Sequence, residues 1–217
     1  MQARSPPFCH LFAVLVMLVN HKYKFLFVHI PKTSGAAFRT YNRLHLSTRW
    51  WKRYEEVGKA HDPLTTAIAD RYRDYYKFAI VRNSWTLIAS AYRFETQGVS
   101  RDKQGQLRTR DITLYDWLIE KAERQEYGPF PRQLQYVSDG GRLLVDYLCR
   151  QDDLAEGMRH VLTAIGAEFN PADWQKPARH YYGDYDWKSY FTDARTRGLV
   201  ETLCREDIEY FGWEFPR

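Results

Sequence analysis

Short apolar runs alternate with longer segments whose apolar residues recur every three or four positions. Phe25 to Ile30 is one such run, followed by Pro31-Lys32-Thr33-Ser34-Gly35 and then by Phe38, Tyr41 and Leu44 three residues apart. This pattern predicts a buried strand, a tight loop and an amphipathic helix, with Thr33 or Ser34 as the helix cap. Lys77 to Val81 is a second strand, followed by a helix over 86–95, and Leu143 to Leu148 a third. A helix capped by Asp62 with Pro63 at its first position carries Leu64, Ile68, Tyr72 and Tyr75. Thr113 caps a helix with Leu114, Trp117 and Leu118 on one face. Asp152 or Asp153 starts another, carrying Leu154, Met158, Val161, Leu162 and Ile165 and stopping at Gly166. A last helix over about 193–210 buries Val200, Leu203, Ile208 and Phe211. Residues 97–110 are polar and read as a long surface loop. Strands alternating with helices predict a parallel α/β sheet.

The loop after the first strand carries the first chemistry. Gly35 permits close backbone approach, and the N–H groups of Thr33, Ser34, Gly35, Ala36 and Ala37, with the Lys32 ammonium, suit a phosphate or sulfate. The spacing is not the Gly-x-x-x-x-Gly-Lys-Ser/Thr of nucleoside triphosphatases. Arg82 falls at the carboxyl end of the second strand, where open α/β sheets place ligands. Ser90 follows eight residues later, about two helical turns on, so one phosphate can meet both side chains.

These two segments resemble the PAPS-dependent sulfotransferases, whose donor is 3′-phosphoadenosine 5′-phosphosulfate (PAPS). His29-Ile-Pro-Lys-Thr33 is similar to the 5′-phosphosulfate loop of the carbohydrate-type branch, in particular of bacterial relatives of uronyl and heparan sulfate 2-O-sulfotransferases. Val81-Arg82-Asn83 with Ser90, Ala91 and Tyr92 resembles the 3′-phosphate segment. Ser84 stands where the family carries Pro, and the usual downstream Arg is Ile88 or absent. Val145-Asp146, Arg150, Asp152 and Leu154, then Asp207 to Trp213, follow the family outline, so the likeness runs from about residue 24 to the end. It implies a P-loop-like three-layer fold with a central, mainly parallel sheet flanked by helices. It implies a single sulfotransferase domain over 24–217, and transfer of the sulfuryl group to a hydroxyl, on a glycan by analogy. Lys32 would stabilise the leaving phosphate without a metal.

The general base is assigned to His61, which resembles in position the catalytic His of uronyl 2-O-sulfotransferases, although Lys59-Ala60 replaces a common Gly. His29 is the competitor. Lys176, Arg179 and His180 are candidates for a third contact loop, and Gln133 or Gln135 for positioning the acceptor. Two alternatives stay open: a non-catalytic nucleotide-binding module, and a P-loop-like kinase. The kinase reading lacks the Walker spacing and a magnesium-binding Asp after a strand.

Composition narrows the partners. The chain has 217 residues, 44% hydrophobic and 27% charged, which suits one globular domain. A net charge of +5 suits an anionic ligand, whereas the lack of a long Lys/Arg run or a nucleic-acid-binding motif argues against nucleic acid. Tyr72, Tyr75, Tyr76, Tyr181, Tyr182 and Tyr185 read mainly as packing residues, with a role lining a sugar or nucleotide groove as the alternative. Cys9, Cys149 and Cys204 form no disulfide or zinc pattern, which suits a reducing, cytoplasmic compartment. Residues 8–19 form an apolar stretch too short to span a bilayer. Residues 1–23 are read as an N-terminal extension, with Met17 as a working start and residues 1–16 dispensable or in contact with a membrane surface.

Overall fold

The computed structural model describes residues 17–46, 54–58, 62–101, 104–124, 132–174 and 185–215. Its centre is a five-stranded sheet of β1 (Met17–Asn20), β2 (Phe25–Val28), β3 (Tyr54–Val57), β4 (Tyr76–Val81) and a late strand, Tyr147–Arg150. Their order across the sheet is β3, β1, β2, β4 and the late strand. β4 lies parallel to β2 on one side and to the late strand on the other, whereas β1 runs antiparallel to both β2 and β3. The sheet is therefore mixed, not mainly parallel. The unit also includes Met17–Asn20, all four residues buried, so the boundary expected at residue 24 falls too late. Residues 1–16 lie outside the described residues.

Side chains alternate across the strands, as the pleat requires. Met17, Val19, Leu26, Val28, Ala79 and Val81 face one core. That core is completed by α2 (Thr66–Arg71), α3 (Ser84–Thr96), α4 (Leu114–Arg124), α5 (Leu134–Val137) and a later helix, Ala194–Leu203. Leu18, Phe25, Phe27, Phe78, Ile80 and Cys149 face the other core, against α1 (Gly35–Tyr41) and the helix α6 (Leu154–Ala164). Helices thus cover both sheet faces. The short helix α1 is pinned by Phe38, whose ring sits 4.7 Å from that of Phe27 and 5.0 Å, edge-on, from that of Phe78. Such pairs add about 0.5–1.5 kcal/mol each beyond area burial. They fix where the preceding loop must turn. Gly157 lets α6 lie against the late strand, because a Cβ there would come within 2.2 Å of Cys149 Sγ.

Several local expectations shift. Within the expected loop, β5 (Gln97–Arg101) pairs antiparallel with β6 (Leu107–Thr109), packed on α3. The apolar run at 143–148 divides. Arg142–Leu143 is β8, paired with β7 (Ser138–Asp139), and the late strand, β9, starts only at Tyr147. Leu144 and Val145 enter the core from the connection, where Asp146 accepts the Lys77 N–H at 2.7 Å. The cap of α2 is Thr65, not Asp62. Thr113 caps α4 as expected, accepting the Asp116 N–H at 3.1 Å. The last expected helix is two, α7 (Ala194–Leu203, capped by Asp193) and α8 (Arg205–Phe211). No helix among the described residues is long and apolar enough to cross a membrane.

Candidate functional site

The carboxyl ends of three neighbouring parallel strands converge on one place. The loop at residues 31–34 leaves β2, Arg82 follows β4, and Gln151 follows β9, one step beyond the pairing of Val81 with Arg150. Gln151 Nε2 donates to Ser34 Oγ (3.1 Å), and Arg82 Nη1 donates to the Lys32 carbonyl (3.1 Å). The two candidate phosphate segments, 50 residues apart in sequence, are thus joined directly.

The loop is built differently from the expected cap. Lys32 and Ser34 both have left-handed backbone conformations, φ 65° and 73°, which cost non-glycine residues energy and cluster at ligand sites. Neither hydroxyl caps α1. Thr33 is fully buried, and its Oγ1 donates to the Ile30 carbonyl at 2.9 Å, closing the turn on itself. Ser34 is the cap residue but makes no side-chain cap bond. Of the expected N–H donors, that of Ala37 is spent on the Ser34 carbonyl at 2.9 Å. Those of Gly35 and Ala36 remain unspent helix-start donors. Gly35 serves packing: a Cβ there would lie 2.5 Å from His29 Cε1. His29 is buried under the start of the helix, which removes it as a base facing an acceptor.

Arg82 and Lys32 are laid along one face of α3. Thr86, Ser90 and Phe94 recur every four residues and so share a stripe. Arg82 Nε donates to Thr86 Oγ1 at 3.0 Å, and Lys32 Nζ rests 3.8 Å from the centroid of the Phe94 ring. Ser90 lies between them, part-exposed. The eight-residue spacing of Arg82 and Ser90 thus has a geometric meaning. Burial first, then the nearby Arg82 charge, pull the Lys32 ammonium down to about 8, with Glu95 opposing. Burial also pulls Arg82 below its usual range, and the Tyr185 phenol beside it pushes back. Glu95 is committed elsewhere, to Lys121 at 2.6 Å and to the Trp117 indole N–H at 3.2 Å. Neither Lys32 nor Arg82 makes an ion pair with a described carboxylate. Two desolvated cations held together, neither ion-paired with a described carboxylate, form a site suited to an anion.

Gln133 has a different place from the one expected. It is 1% exposed and bonds to the main chain of Arg82, so it cannot touch an acceptor. Its own N–H donates to Asp207 Oδ2 at 2.6 Å, and the Leu134 N–H donates to Oδ1 at 2.9 Å. Gln135 lines a surface recess with Glu206 and Tyr210. His61, Lys176, Arg179 and His180 lie outside the described residues. Roles for Thr86, Phe94 and Gln151 were not anticipated, and Asp207 was singled out only as part of the family outline, without its hold on Gln133. The four-residue spacing after Arg82 was a usable signal for Thr86, but nothing local pointed to Gln151. Among the described residues no group of His, Cys, Asp and Glu could hold a metal ion. A scan against protein-family models, a search of curated proteins and a search of solved structures each return no match.

Proposed function

We propose that the protein is a sulfotransferase that moves the sulfuryl group of PAPS to a hydroxyl of an acceptor, a carbohydrate by resemblance. The observation that carries the reading is the Arg82–Lys32 junction. Two desolvated cations from adjacent parallel strands meet beside Ser90, with no described carboxylate paired to either. A nucleotide with a phosphate at each end of its ribose matches two cationic groups spread along one helix face. The P-loop-like fold and the sulfotransferase assignment rest on the sequence resemblance together with this site.

In the proposed reaction the acceptor oxygen attacks sulfur, and the bond from sulfur to the 5′-phosphate oxygen breaks. The electron pair stays on that oxygen, where the Lys32 charge and the unspent loop N–H groups stabilise it. The acceptor proton passes to a base, assigned to His61 from sequence. Most of the acceleration comes from positioning and electrostatics, as in phosphoryl transfer.

Incubation with ³⁵S-labelled PAPS and a panel of glycans, phenols and lipids tests this reading. Label is expected on a glycan. Lys32→Ala should lower the single-turnover rate by about a hundredfold or more. His61→Ala should lower it by ~10²–10⁴ while leaving donor affinity intact. Arg82→Ala should act mainly on donor affinity. Tight nucleotide binding without transfer to any acceptor would favour the non-catalytic module.

A further inference from the structure

We infer that Phe94 is a positioning residue of the anion site: the face of its ring seats the Lys32 ammonium and keeps that charge where a phosphate oxygen docks. The inference rests on the reading above, that the site takes an anionic nucleotide through Lys32.

Lys32 Nζ lies 3.8 Å from the centroid of the Phe94 ring, well inside the roughly 6 Å over which a ring face attracts a cation. The lysine is also held at its main chain, where its carbonyl accepts from Arg82 Nη1 at 3.1 Å. Both anchors belong to the stretch that runs from the end of β4 through α3, which also carries Ser90. One helix therefore sets where the ammonium stands relative to Arg82 and Ser90. The platform is itself tied down: the buried Ser100 of β5 donates its hydroxyl to the Phe94 carbonyl at 2.6 Å. The helix offers Lys32 a ring and turns its nearest carboxylate elsewhere. Consecutive helical residues point about 100° apart, and Glu95 pairs with Lys121 at 2.6 Å and accepts the Trp117 indole N–H at 3.2 Å. A carboxylate on Lys32 would be a counter-charge that an incoming anion must displace. A ring attracts the ammonium through its quadrupole and leaves the net positive charge in place. Arg195 also lies 3.8 Å from a ring centroid, that of Tyr115, but Arg195 is exposed, where such a contact is weakest. Lys32 is part-buried, at the strand ends that form the site.

The full chain is prepared with a ring-trifluorinated phenylalanine at position 94, and as Phe94→Tyr and Phe94→Leu. Fluorination withdraws the negative charge from the ring face and nearly keeps its shape, Tyr keeps the charged face, and Leu keeps only apolar bulk. Each chain is titrated calorimetrically with inorganic phosphate, AMP and 3′,5′-bisphosphoadenosine. The fluorinated and Leu chains should bind all three about tenfold more weakly, and Phe94→Tyr should stay within about twofold of the unsubstituted chain. Unchanged affinity in the fluorinated chain overturns the inference whatever Leu does, because the ring then serves packing alone. A loss that Phe94→Tyr shares in full overturns it as well. If the expected losses appear but the unsubstituted chain fails to prefer the bisphosphate over AMP, Phe94 stands and the nucleotide reading fails. An unsubstituted chain that binds none of the three overturns both. A second measurement needs no variant to fold. In the unsubstituted chain labelled with ¹³C-lysine, one ε-methylene resonance should stand upfield, shielded by the ring, and should stay upfield when phosphate is added. Its return to the ordinary lysine position would show that Lys32 leaves the ring to bind, which overturns the inference.

Discussion

Gln133 brackets the main chain of Arg82. Its Oε1 accepts the Arg82 N–H at 2.8 Å, and its Nε2 donates to the Arg82 carbonyl at 2.8 Å. A side chain 51 positions away thus does what a neighbouring strand would do, at the point where β4 ends and the ligand site begins. Gln133→Ala would leave both groups without their partner. A loss of roughly 2–6 kcal/mol in unfolding free energy by urea denaturation is expected, at about 1–3 kcal/mol for each of the two unsatisfied groups. Bisphosphate affinity should fall with it. Unchanged stability would show that water replaces Gln133 freely.

Asp207 anchors Gln133 in turn. Burial pushes its carboxyl up to about 6, against the pull of the hydrogen bonds from the Gln133 and Leu134 N–H groups. Its folded pKa lies above the unfolded value of 3.8, so the folded chain holds more protons between pH 4 and 6. This group's contribution to stability is therefore greatest below the unfolded value and falls as pH rises through that window, by about 3 kcal/mol over the two units. Denaturation curves across this range should be flatter for Asp207→Asn than for the unsubstituted chain. Identical slopes would place the titration elsewhere.

The strands that lead into the site were legible in the sequence because they are short apolar runs followed by turn residues. Arg82 was legible as the residue that follows a strand, and the place of Ser90 as about two turns into the next helix. β1 was not, since Met17–Asn20 continues an apolar stretch that begins at Phe8, and nothing in a buried run marks where a strand starts. The pairing of β5 with β6 was hidden by its polarity, as an exposed strand pair carries no apolar alternation. The Thr33 hydroxyl was misread as a cap, because whether it bonds forward to the helix or back to Ile30 depends on the left-handed turn at Lys32. Gln133, Gln151 and Asp207 act through main-chain and hydroxyl contacts far away in sequence, which composition and spacing do not register.

Lys32 links binding to pH. It loses its proton near pH 8 in the folded chain and near 10.5 when unfolded. The unfolded chain holds more protons between those values, so this group makes folding more favourable as pH rises through them. An anion beside Lys32 restores the higher value. Binding of 3′,5′-bisphosphoadenosine at pH 8.5 should then take up roughly 0.7 of a proton, read from calorimetry in buffers of different ionisation enthalpy. Lys32→Met should abolish the uptake. No buffer dependence in the unsubstituted chain would place the ammonium away from the nucleotide.

Gly35 is held to glycine by His29. Gly35→Ala should cost about 1–3 kcal/mol, the range for overpacking a filled site, because the new methyl would meet the imidazole at 2.5 Å. The same change in a His29→Ala background should cost much less. Equal penalties in the two backgrounds would mean that the loop, not the ring, forbids a side chain.

The central claim is that Arg82 and Ser90 select a nucleotide by its 3′-phosphate. Calorimetric titration of the unsubstituted chain with 3′,5′-bisphosphoadenosine and with AMP, at one pH and ionic strength, tests it most directly. Two charge-assisted hydrogen bonds are worth roughly 3 kcal/mol, so the bisphosphate should bind about a hundredfold more tightly. Equal affinity for the two nucleotides would contradict the sulfotransferase account.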